Sequence, residues 1–69
     1  MGIAQYVTYK RIEEAKRLLA NELTSVSKIA VQVGIGDYNY FCKLFRKNVG
    51  LSPGKYRLSV RLGNQNRHT

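Results

Sequence analysis

The 69-residue chain carries 12 Lys and Arg against 4 Asp and Glu and one His, a formal net charge of +8 with a pI near 10.1. That length holds one small core and excludes a second, and 43% hydrophobic with 23% charged residues is the balance of a folded chain rather than a disordered one. One Cys excludes an internal disulfide, one Cys with one His excludes an all-Cys/His structural zinc site, and no apolar run reaches the ~18 residues of a membrane span.

The chain opens on Met1-Gly2-Ile3-Ala4-Gln5, without the basic and then apolar pattern of a signal peptide, so the expected setting is the reducing cytoplasm. From Tyr6 to Ala20 there is neither Gly nor Pro, and strong helix formers dominate. Ile12, Ala15, Leu18 and Leu19 recur at helical spacing, which predicts a long amphipathic helix with that stripe inward. Glu13 and Arg17 are expected to pair across one turn of it. Asn21 to Thr24 is a short connection.

Ser25 is suited to cap a second helix that turns Val26, Ile29, Ala30 and Val33 inward, and Gly34 to end it in the left-handed conformation. After the Gly34-Ile35-Gly36 turn, Asp37 is placed to cap a third helix over Tyr38–Asn48. Its inward face is Phe41, Leu44 and Phe45, with Tyr40 at the border, and Gly50 stops it. Ser52-Pro53 is a start signal, a cap followed by proline at the first helical position. The fourth helix carries Tyr56, Leu58, Val60 and Leu62 and frays into a polar tail, residues 63–69, expected to be disordered. The fold class is therefore all-α: a connecting amphipathic helix within 1–24, then a helix-turn-helix with a short closing helix within 25–62, a small homeodomain-like helical bundle. Phosphate-loop, Rossmann, zincin and nucleophile-elbow spacings are all missing.

Charge is unevenly placed. Residues 1–24 set Lys10, Arg11, Lys16 and Arg17 against Glu13, Glu14 and Glu22, whereas Asp37 is the one acid from residue 25 to the end. A basic domain with pI above ~9 has the electrostatic footprint of a nucleic-acid binder; a solvated, colloid-stable surface accounts for charge alone equally well.

Two short helices joined by a glycine-bearing turn outline a helix-turn-helix, in which the second helix presents its first residues to base edges in the major groove. Once the apolar positions of Tyr38–Asn48 are turned inward, Tyr38, Asn39, Cys42, Lys43, Arg46 and Lys47 face out. Asn39 can pair with an adenine edge, and Lys43 can donate to guanine or to phosphate. Tyr38 suits a thymine methyl, a phosphate, or a fold back onto the core. Cys42 lies on the exposed face among the base-contacting candidates and has no expected redox role. Arg46 and Lys47, a turn farther on, suit backbone contacts that position without specifying. Ser25 is a cap first, yet the amides beside it, helped by Lys28, can take a phosphate. Arg57 is expected either to neutralise a helix end or to contact DNA phosphate. The three acids of the first helix balance charge, no second catalytic group faces them, and no enzymatic role or cofactor is expected.

The wider spacing is more specific. Arg11-Ile12-x-x-Ala15-x-x-Leu18-Leu19, then Ile29-Ala30-x-x-Val33-Gly34-Ile35, then Tyr40-Phe41-x-x-Leu44-Phe45-Arg46-Lys47-x-x-Gly50-x-Ser52-Pro53-x-x-Tyr56-Arg57 closely resembles the AraC/XylS family of bacterial transcription regulators. The resemblance implies a sequence-specific binder of double-stranded DNA, with the positions of Tyr38, Asn39 and Lys43 facing bases. It also implies that this chain is the connecting helix plus the second of two helix-turn-helix subdomains, so that Met1-Gly2 begins a fragment. The first subdomain, an effector or dimerisation domain and RNA polymerase are then its partners, with no membrane and a nucleoid location. Ile35 departs from the family's usual Phe, and Gly36 before the cap is unusual. Two rivals stand beside this reading: a protein-interaction helix with an apolar stripe along Ile3, Tyr6 and Val7, and a non-specific polyanion or membrane-surface binder.

Overall fold

A computed structural model describes residues 2–66. They form four helices and no strand: α1 (Ile3–Asn21), α2 (Val26–Gln32), α3 (Tyr38–Val49) and α4 (Pro53–Asn66). The all-α expectation holds, and no helix among the described residues is long and apolar enough to cross a membrane.

The helix ends follow local chemistry. Ser25 Oγ accepts the Lys28 amide at 3.3 Å, Asp37 Oδ1 accepts the Tyr40 amide at 3.0 Å, and Ser52 Oγ accepts the Lys55 amide at 3.3 Å. α1 starts three residues before its expected first residue, with the Gly2 amide donating to Gln5 Oε1. Its charged surface also pairs differently. Lys16 joins Glu13 and Arg17 joins Glu14, both across three residues, so the expected Glu13–Arg17 pair does not form. Spacings of three and four are near-equivalent on a helix surface, and two acids in tandem offer each cation a choice. The Arg17 guanidinium beside Glu14 holds that carboxyl below its ordinary range.

Between α2 and α3 the chain reverses in a Schellman turn. The Gly34 amide donates to the Val31 carbonyl, and the Ile35 amide donates to the Ala30 carbonyl at 2.8 Å. Gly34 takes φ +88°, where side chains are strained, and a Cβ built there lies 3.3 Å from Arg11 Cζ. Arg11 reaches across from α1 and donates to the Gly34 carbonyl at 3.2 Å. Gly34→Ala is therefore expected to lose about 1–2 kcal/mol of stability, read as a lower urea midpoint at unchanged m. A midpoint equal to the parent's sinks that assignment.

The core is one cluster: Ile12, Ala15, Leu18, Leu19, Ile29, Ala30, Val33, Ile35, Phe41 and Phe45. α1 packs on all three other helices. Ile35 is buried here, so its aliphatic side chain keeps that site apolar and part of the core. α4 departs from expectation twice. Leu58 and Leu62 are 59% and 50% exposed, while Pro53 is buried and Tyr56 packs on the core. At ~100° per residue, positions two apart point to opposite sides of a helix, so Tyr56 and Leu58 cannot share an inward face. The helix also continues through Gly63 to Asn66 instead of ending at Leu62; the remainder of the expected disordered tail, 67–69, lies outside the described residues.

Candidate nucleic-acid interface

Phe41 and Phe45, both fully buried, fix the rotation of α3 about its axis. Their rings lie 5.9 Å apart, and the Tyr56 ring of α4 meets Phe45 edge-on at 5.5 Å. With that side anchored, helical geometry turns Asn39, Lys43, Arg46 and Lys47 away from the core, and all four are exposed. Among the described residues the ion pairs are the two on α1, so Lys28, Lys43, Arg46 and Lys47 carry charge that no carboxylate of those residues takes up. The helix thus offers one amide and three unpaired cations on a single convex face.

The flanks differ from the sequence reading. Tyr40, placed there at the border, is 55% exposed and stands beside Lys43 and Lys47, so it belongs to the outward face. Its spacing of three and seven residues from those lysines carries that information. Cys42 was expected on the exposed face. It is instead half-buried and packed against the core. Tyr38, 48% exposed, lies one turn before it, and the Cys42 thiol, with desolvation adding to the effect, holds the Tyr38 phenol above its ordinary value.

Ser25 and Lys28 are exposed at the start of α2, with the Ser25 hydroxyl oxygen engaged as the cap. Arg57 lies elsewhere. Its Nε donates to the Leu19 carbonyl at 3.2 Å, and its Nη2 donates to the carbonyls of Glu22 at 3.2 Å and of Thr24. Arg61 adds a bond to the Glu22 carbonyl at 3.3 Å. The end of α1 presents carbonyls without intrahelical partners and the negative end of the helix dipole, and a planar guanidinium meets both demands. Of the two roles expected for Arg57, these bonds match the one at a helix end. Among the described residues no three His, Cys, Asp or Glu side chains gather as metal ligands.

A family model described as a helix-turn-helix domain matches residues 1–59, spanning all of α1 to α3 and the first half of α4. The chain belongs to the AraC-type helix-turn-helix family. This makes it a member of a family of DNA-binding transcription regulators. The uncharacterized HTH-type transcriptional regulator YijO of Escherichia coli is 44% identical over 57 residues, covering 83% of this chain and 20% of that protein. The HTH-type transcriptional activator RhaR of Mannheimia succiniciproducens is 42% identical over 57 residues, covering 83% of this chain and 21% of that one. The crystal structure of the C-terminal domain of the two-component response regulator yesN from Fusobacterium nucleatum superposes with a TM-score of 0.81 at 38% identity, over 83% of this chain and 55% of that one. The AraC-type domain here therefore spans about a fifth of the length of these curated relatives.

Proposed function

We propose that this domain reads duplex DNA by laying α3 in one major groove, with Asn39 and Lys43 on base edges and Tyr38 on a thymine methyl or the groove wall. The observation that carries the reading is the unpaired Asn39, Lys43, Arg46 and Lys47 face, held opposite the buried Phe41–Phe45 pair. Asn39 has the donor and acceptor that match adenine, and Lys43 is a donor for guanine. Arg46 and Lys47, and Lys28 with the capped start of α2 at Ser25, are assigned to backbone phosphates on either side. Cys42 contributes at most its edge to the base-facing surface. The role is binding without catalysis and without a cofactor.

In the longer bacterial regulator we place this unit beside a first helix-turn-helix subdomain and an effector or dimerisation domain, acting in the cytoplasm at the nucleoid, with RNA polymerase as the machinery it serves. The exposed Ile3, Tyr6 and Val7 at the start of α1 are the natural seat of a neighbouring domain there.

The test is fluorescence-anisotropy binding to a random-sequence duplex pool at two salt concentrations, with selection and sequencing of the bound fraction. Asn39→Ala or Lys43→Ala is expected to cost ~1–3 kcal/mol of discrimination at particular base pairs. Arg46→Ala or Lys47→Ala is expected to weaken every sequence alike and to lower the salt slope by about 1 each. Four variants with the same profile sink the division between base and phosphate roles. Salt-sensitive binding with no enriched motif supports the non-specific polyanion binder instead.

A further inference from the structure

Lys55 lies outside the recognition helix, yet it shares a cleft with Arg46 of that helix. Between the end of α3 and the start of α4 lies a concavity of 180 Å³ lined by Arg46, Gly50, Leu51, Ser52 and Lys55. Two cationic residues from different helices line it. The four acids of the chain, Glu13, Glu14, Glu22 and Asp37, all lie elsewhere, and none lines it. Like charges gathered on one concave surface repel unless an anion stands between them, and low-dielectric walls strengthen the field that draws one in. Ser52 adds a donor: its oxygen accepts the Lys55 amide, which leaves the hydroxyl proton free to give.

We infer that this cleft seats one backbone phosphate of the bound duplex, held jointly by Arg46 and Lys55 with Ser52 at its floor. The inference rests on the groove-reading function proposed above and extends it to a residue outside the recognition helix. Arg46 stands on the outward face of α3, seven residues beyond Asn39, so the cleft continues that face past the helix end. A phosphate there fixes how far α3 slides along the groove, which makes Lys55 a positioning residue that reads no base.

The experiment is the salt dependence of anisotropy binding by the whole chain, in phosphate-free buffer, to a fluorescein-labelled random-sequence duplex. Lys55→Gln is expected to lower the slope of log K against log salt by about 0.9, with no change in the selected motif, and Lys55→Arg to restore it. Because the seat holds its one phosphate only with both cations in place, the Arg46→Gln, Lys55→Gln double variant is expected to lose about 0.9 in slope as well, not the roughly 1.8 of two independent contacts. An additive loss overturns the shared seat. An unchanged slope for Lys55→Gln overturns the site altogether, as does inorganic phosphate that shifts the Lys55 amide resonance while the DNA slope is indifferent to residue 55. These readings are independent of base recognition, whose own failure shows as an enriched motif unmoved by Asn39→Ala and Lys43→Ala.

Discussion

Phe45→Ala is expected to cost about 3–5 kcal/mol, the range for removing a buried aromatic ring, and so to leave the domain largely unfolded. A folded chain of this size has only about 3–10 kcal/mol in hand, at roughly 0.05–0.15 kcal/mol per residue. Phe45 is fully buried and joins two neighbours, Phe41 at 5.9 Å and Tyr56 at 5.5 Å, so its ring links α3 to α4 as well as filling the core. Neither neighbour can move into the gap freely, because Phe41 is held on the same helix and α4 is tied down through its arginines. Urea titration followed by far-UV circular dichroism measures the loss, with Phe45→Leu as a smaller excision that keeps most of the volume. DNA binding is expected to vanish together with helicity in Phe45→Ala, whereas Lys43→Ala leaves the melt unchanged. A Phe45→Ala protein that melts within about 1 kcal/mol of its parent contradicts the anchoring of α3 on which the interface depends.

The contrast between α3 and α4 explains what the sequence discloses. Ser25, Asp37 and Ser52-Pro53 act within three residues of themselves, so their capping is written in the local order of side chains, and the helix starts follow from it. The Phe41–Phe45 spacing does the same for the buried face of α3, and through it for the outward Asn39, Lys43, Arg46 and Lys47. Contacts made across the chain have no such signature. Arg57 meets a carbonyl 38 positions away, and Arg11 one 23 positions away; nothing near either residue distinguishes a guanidinium that closes a helix from one left for a phosphate. Cys42 and Tyr40 fail for a third reason. Both are amphipathic enough to sit on either side of a boundary, and only the packing of neighbouring helices decides which one is covered.

Arg57→Ala is expected to cost about 2–3 kcal/mol, because one charged donor group serves three carbonyls and its loss leaves them to water or to nothing. Arg61 keeps a single bond to the Glu22 carbonyl, which bounds the damage. The decisive variant is Arg57→Lys. An ammonium is a point donor on a flexible stem and cannot span the carbonyls of Leu19, Glu22 and Thr24 as a planar fork does, so it is expected to destabilise nearly as much as alanine. A phosphate contact behaves in the opposite way: lysine preserves it, and its removal lowers the salt slope of DNA binding while the urea midpoint stays put. The two roles thus separate cleanly when both variants are carried through urea titration and through DNA binding at several salt concentrations. Midpoints that fall for Ala and Lys alike, at an unchanged slope, place Arg57 at the end of α1; a lowered slope with an intact midpoint, rescued by lysine, returns it to the DNA. Since the same guanidinium draws α4 against α1 while Tyr56 draws it against Phe45, the first outcome also means that the recognition helix is aimed from behind, by residues that never approach the groove.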